Sequence, residues 1–105
     1  MSIFSAIVSK VFHQPLPPGA DVIALLHRAA MERPVIEKLN WGQSMVDLLK
    51  LLNLDSGPDA RRALALELRY SGDPNDMLHM NIWLHREVMA RLAQRRAQMA
   101  PDLRH

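Results

Sequence analysis

Two carboxylates and two histidines hold the spacings in this sequence most able to do chemistry. Asp73, Asp76 and His79 fall three residues apart, which would gather oxygen and nitrogen ligands at the start of a helix. Such a group is the seed of a metal-assisted hydrolase site, but a metal needs three or four ligands in a fixed geometry. The same carboxylates are suited to accept the free N–H groups of a helix N-terminus and to face its positive dipole end. Capping accounts for both, so no metal is expected. His79 and His85, six apart, lie on different faces of one helix and cannot share an ion. His85 sits in an apolar run between Ile82 and Met89, where a general base or ligand could line a pocket. No carboxylate stands at 81, 82, 88 or 89 to orient its ring, which favours a structural histidine bonded to a backbone carbonyl or a neighbour.

The remaining chemistry is thinner. There is no Gly-x-Ser-x-Gly, no Gly-rich phosphate loop and no His-Glu-x-x-His, and the chain has four glycines and no cysteine. An enzyme is therefore not expected, and neither catalytic residues nor a cofactor are assigned. Arg86, Arg91, Arg95, Arg96 and Arg104 make the last twenty residues basic, a pattern that could meet nucleic-acid phosphates. No aromatic residue follows Trp83 to stack on bases, and cations at a helix C-terminus are favoured by its dipole. Nucleic-acid binding is thus the second reading, and a solvated helix end the first. Trp41 and Trp83 stand among Leu and Met, which assigns them to packing and not to sugar stacking.

The elements that position these residues are helical throughout. The chain has 105 residues, room for one domain, and 16 Leu and 12 Ala against no Thr bias it towards helix. A net charge of +2 is too small a surplus to imply a polyanionic partner. The apolar opening lacks a basic leader and carries Lys10, so no signal peptide is read. No run reaches the roughly 18 apolar residues of a membrane span, and the expected location is the cytoplasm.

Five helices are expected. The first covers about residues 2–12, followed by a linker over 14–19 in which Pro15, Pro17 and Pro18 forbid helix. The second runs from about Asp21 to Arg33, where Pro34 ends it; the third begins between Asn40 and Ser44 and ends near Leu52, with Trp41, Met45, Leu48 and Leu52 in one stripe. Asp55 or Ser56 is expected to cap the fourth, Pro58 to Arg69, and Gly72 to close it in the left-handed conformation. The fifth, Asp76 to Gln98, presents Leu78, Ile82, His85, Met89 and Leu92 at spacings of four and three as its core seam. The expected architecture is an all-α irregular bundle: a helical core over 20–105, with an amphipathic helix at 1–13 tethered by the 14–19 linker.

Trp41 with Ser44–Leu52, Leu54-Asp55-Ser56, Glu67-Leu68, Tyr70–Asp73 and above all Met80-Asn81-Ile82-Trp83-Leu84-His85 resembles the bacterial family catalogued as domain of unknown function 3597. The resemblance spans nearly the whole chain and implies a small helical bacterial protein, with no catalytic residue or ligand. Arg69 stands where that family usually has Gly before the Tyr, and the linker is shorter than is usual.

The feature left for function is the opening helix. Its apolar face, Phe4, Ile7, Val8 and Val11, is the candidate interaction surface, since burying each large side chain is worth about 1.5–3 kcal/mol. It would dock on its own bundle, a second copy or another protein, with a membrane surface less favoured. A non-enzymatic macromolecular interaction module is the expected function.

Overall fold

Four of the helices start where a short polar residue precedes an apolar run, and one starts at a Gly-Pro pair. The computed structural model describes residues 2–13, 20–33 and 38–99, and every regular element within them is a helix. In α1 (Ile3–Val11) Ser2 Oγ accepts the Ser5 N–H at 3.1 Å, and in α2 (Val22–Met31) Asp21 Oδ1 accepts the Ala24 N–H at 2.8 Å. Ser44 caps α3 (Met45–Leu51) through the Asp47 N–H at 3.2 Å. The cap of α4 (Pro58–Glu67) is Gly57, with Pro58 in the first turn, and not Asp55 or Ser56 as expected. Asp55 acts one step earlier, accepting the Gly57 N–H at 2.8 Å. Ahead of α5 (Met77–Met99), Asp76 receives the His79 N–H at 3.4 Å, while Asp73 holds the Asn75 N–H in the preceding turn at 2.9 Å.

The helix ends correct a second expectation. The left-handed residues are Asn53 (φ 59°) after α3 and Arg69 (φ 65°) after α4, not Gly72. Both ends carry the same pair of hydrogen bonds: Asn53 N–H to Lys50 O with Leu54 N–H to Leu49 O, and Arg69 N–H to Leu66 O with Tyr70 N–H to Ala65 O. This is the Schellman pattern, which satisfies carbonyls that a helix end leaves open. Arg69 thus occupies the position where a Gly would meet no Cβ penalty. Gly72 serves another need: a Cβ there would run into the Tyr70 ring, which stacks at a tilt on Trp83 with centroids 4.9 Å apart.

The core forms around α5. Met80, Leu84, Val88 and Leu92, each one turn from the next, are buried against α2, α3 and α4. Met45, Leu48, Leu49 and Leu51 of α3, with Leu52 at its cap, Leu64 and Leu68 from the α4 segment and Leu26 of α2 fill the space facing them. The expected seam therefore holds only in part. Leu92 is buried and His85 and Met89 are half-buried, but Leu78 is 68% exposed and Ile82 51%. The α5 sequence is apolar on several sides in its first half, so its own periodicity offers two stripes; packing selects the one spaced by four. The Pro-rich linker 14–19, the Pro34 stop, Asp102 and Arg104 lie outside the described residues.

Leu48 is wholly enclosed, so Leu48→Ala should cost about 2–5 kcal/mol in a denaturant titration. A loss below about 1 kcal/mol, the size of a surface change, would contradict the burial. Arg69→Gly should act in the opposite direction: relief of the left-handed strain should stabilise the fold by up to about 1 kcal/mol, raising Tm by roughly 4–8 °C. An unchanged or lower Tm would mean that the strain is absent.

Candidate functional site

The opening helix belongs to the same core as the rest. Ile7 and Val11 of α1 are buried with the residues of α3, α4 and α5, while Phe4 and Val8 are half-buried against them. α1 packs on α4 and α2. The four residues singled out as a candidate surface are thus turned towards the molecule's own interior, because that is where their apolar area leaves water most fully.

A single carboxylate from far along the chain fixes this docking. Glu67, the last residue of α4, accepts the Ile3 N–H through Oε1 at 2.7 Å and the Phe4 N–H through Oε2 at 3.1 Å. The Ser2 hydroxyl also donates to Oε2, at 2.9 Å. Two N–H groups that α1 leaves open are satisfied, and the negative charge lies at the positive end of its dipole. Burial acts most strongly on the Glu67 pKa and raises it, yet the hydrogen bonds from Ile3, Phe4 and Ser2 with the N-terminal charge outweigh it. The net effect holds the carboxyl below its ordinary value.

Docking α1 on α4 leaves a groove along their junction. Its volume is about 490 Å³, and Ser2, Ile3, Ala6, Leu54, Asp55, Asp59 and Ala60 line it. Ala6 and Ala60 are small, which opens the floor; Ile3 and Leu54 make it apolar; Asp55 and Asp59 place carboxylates on it. Sequence periodicity could not find this site, because α1 and the segment from Leu54 to Ala60 are separated by some fifty residues. A second cleft, about 410 Å³, lies where α1, α2 and α3 end, with Lys10, His13, Glu32 and Arg33 around an apolar base. Arg33 there already donates to Leu51 O at 3.1 Å and to Asn53 Oδ1 at 3.0 Å.

The residues weighed for chemistry are placed elsewhere. His85 Nε2 bonds to the Trp41 carbonyl at 2.7 Å; a carbonyl only accepts, so that nitrogen carries the proton and the ring ties α5 to the segment before α3. His79 Nδ1 lies 2.6 Å from Asp76 Oδ2, and this bond holds the Asp76 carboxyl below its ordinary value. Asp73 turns to the Asn75 backbone, so the three do not assemble. Among the described residues, no group of three His, Cys, Asp or Glu could hold a metal ion. The basic patch is also broken up: Arg96 is buried with its Nε on Ala20 O, and Arg91 pairs with Glu87 at 2.8 Å. No helix among the described residues is long and apolar enough to cross a membrane.

The family and the solved structure that this chain resembles are both described as of unknown function. Residues 10–100 match the family described as a domain of unknown function (DUF3597). The solution structure of a conserved unknown protein from Rhodopseudomonas palustris is 39% identical and superposes with a TM-score of 0.66. That match covers 88% of this chain and 90% of the other. No curated protein matches.

The Glu67 contacts make stability depend on pH. Because the folded carboxyl titrates below its unfolded value, its contribution is complete above the unfolded pKa and is lost as pH falls through the folded one. Glu67→Gln should cost about 1–2 kcal/mol at neutral pH, discounted for a partly solvated site, and the gap from wild type should close in acid. Urea titrations at several pH values read this directly; a gap that stays constant down to about pH 3 would rule out the ionised carboxylate as its source.

Proposed function

The chain belongs to the family described as a domain of unknown function (DUF3597), and from that premise we propose that it works as a non-enzymatic interaction module whose docking site is the α1–α4 groove. The observation that carries this reading is the groove itself: an apolar floor with open space over two alanines, bordered by Asp55 and Asp59. Binding grooves for amphipathic segments combine an apolar floor with a polar border in this way. Its volume falls within the range of ligand clefts, and it lies open to solvent as a shallow groove. The polar groups that could have served catalysis are engaged in structural bonds: His85 to Trp41, Asp76 to His79 and Asp73 to Asn75. Electrostatic binding of nucleic acid has less support, since Arg91 is paired and Arg96 buried.

Ala60→Arg fills the groove and offsets its carboxylates at a position that is only half-buried. Affinity capture from a source-cell lysate should retain a macromolecule on the wild-type protein and lose most of it, at least about ten-fold, on Ala60→Arg. Circular dichroism checks that the variant is folded. Equal capture by both would remove the groove from the reading, and no capture by either would remove the interaction module.

A further inference from the structure

Among the exposed apolar residues and clefts of the surface, two features fit each other. The first is a ridge on α5. Leu78 and Ile82 are more than half exposed, and exposed Arg86 continues the same stripe one turn on. At 1.5 Å per residue the ridge runs about 12 Å from Leu78 to Arg86. Single exposed aliphatic residues need no explanation, but two in line with a cation on one rigid helix form a docking edge. The Arg86 side chain makes no hydrogen bond or ion pair among the described residues. The second feature is the groove, with an apolar floor from Ile3, Ala6, Leu54 and Ala60 and the carboxylates of Asp55 and Asp59.

Resting on the reading of the groove as a docking site, we infer that its occupant is the Leu78–Ile82–Arg86 ridge of a second copy of this chain. The aliphatic pair meets the floor and the guanidinium meets the carboxylates, so polarity and charge agree along the ridge. Asp59 keeps its side chain fully exposed while paired with Arg62 at 3.2 Å, and Asp55 spends one oxygen on the Gly57 N–H. Both retain lone pairs for an incoming donor. The ridge does not fill the groove of its own molecule. Arg61 donates to Asn81 at 2.8 Å and Arg62 to Pro74 O at 3.2 Å, which pins the start of α5 on α4 with Leu78 and Ile82 facing solvent. Ridge and groove are different surfaces, so one contact is heterologous; two of them about a two-fold axis close a dimer. A three-residue ridge makes a small interface, and the association belongs to the weak, concentration-dependent class.

Sedimentation equilibrium of the full chain from about 10 µM to about 1 mM reads this association. Wild type should shift from monomer towards dimer across that range, with Kd rising as salt is added. Leu78→Glu combined with Ile82→Glu should raise Kd at least about ten-fold, and so should Ala60→Arg. A one-to-one mixture of the two variants should associate more tightly than either variant alone, because the intact ridge of one and the open groove of the other restore one of the two contacts. If Ala60→Arg fails to fold, Asp59→Lys at a fully exposed side chain takes its place. A wild type that stays monomeric, variants that associate like wild type, or a mixture that associates no more tightly than the variants alone would each overturn the second copy as occupant. Monomeric wild type that still captures a lysate protein through the groove would leave the docking reading standing; loss of both would end both.

Discussion

The buried stripe of α5 is the constraint from which the other packing follows. Met80, Leu84, Val88 and Leu92 recur every four residues and so lean along one side of the helix, giving α2, α3 and α4 a common surface. Because α5 has 23 residues, that surface is long enough to serve all three shorter helices. α3, with seven residues, would not persist alone; it is held because nearly every apolar side chain it has lies inside. His85 reinforces the arrangement by bonding to the Trp41 carbonyl, which places the approach to α3 against α5.

Glu67 then decides what α1 becomes. A nine-residue amphipathic helix is marginal in water, and two contributions secure it here. Ile7 and Val11 enter the core, and the carboxylate at the end of α4 takes the first N–H groups of α1. A negative charge at the C-terminal end of α4 is unfavourable for that helix, but the same charge at the N-terminal end of α1 is favourable. The site is thus resolved between helices and not within one. Closing α1 on α4 also creates the groove, since Ala6 and Ala60 bring two small side chains to a junction where larger ones would fill it.

The two left-handed residues show how local cost is tolerated. Asn53 suits that conformation because its short polar side chain visits it readily. Arg69 does not, and it is held there by the paired bonds from Arg69 and Tyr70 back into α4 and by the stacking of Tyr70 on Trp83. Gly72 keeps the space that the Tyr70 ring occupies. The whole turn is therefore a device for aiming one aromatic ring at the core.

Local chemistry in the sequence determined the helical class, the approximate extents of the five helices, and a carboxylate cap for the last, which falls to Asp76. These depend on residues within one turn of each other, so composition and spacing are sufficient to read them. The burial of Leu48 and the structural role of His85 were legible for the same reason, each residing in a stripe whose neighbours are apolar. Tertiary structure alone decided which of two apolar stripes of α5 enters the core, leaving Leu78 and Ile82 outside. It alone brought Glu67 to α1, turned Ile7 and Val11 inward, sent Arg96 to Ala20, and opened the groove between segments distant in the chain. The physical reason is common to all of these: a contact between residues tens of positions apart has no periodicity in the sequence, and its energy exists only once the helices have met.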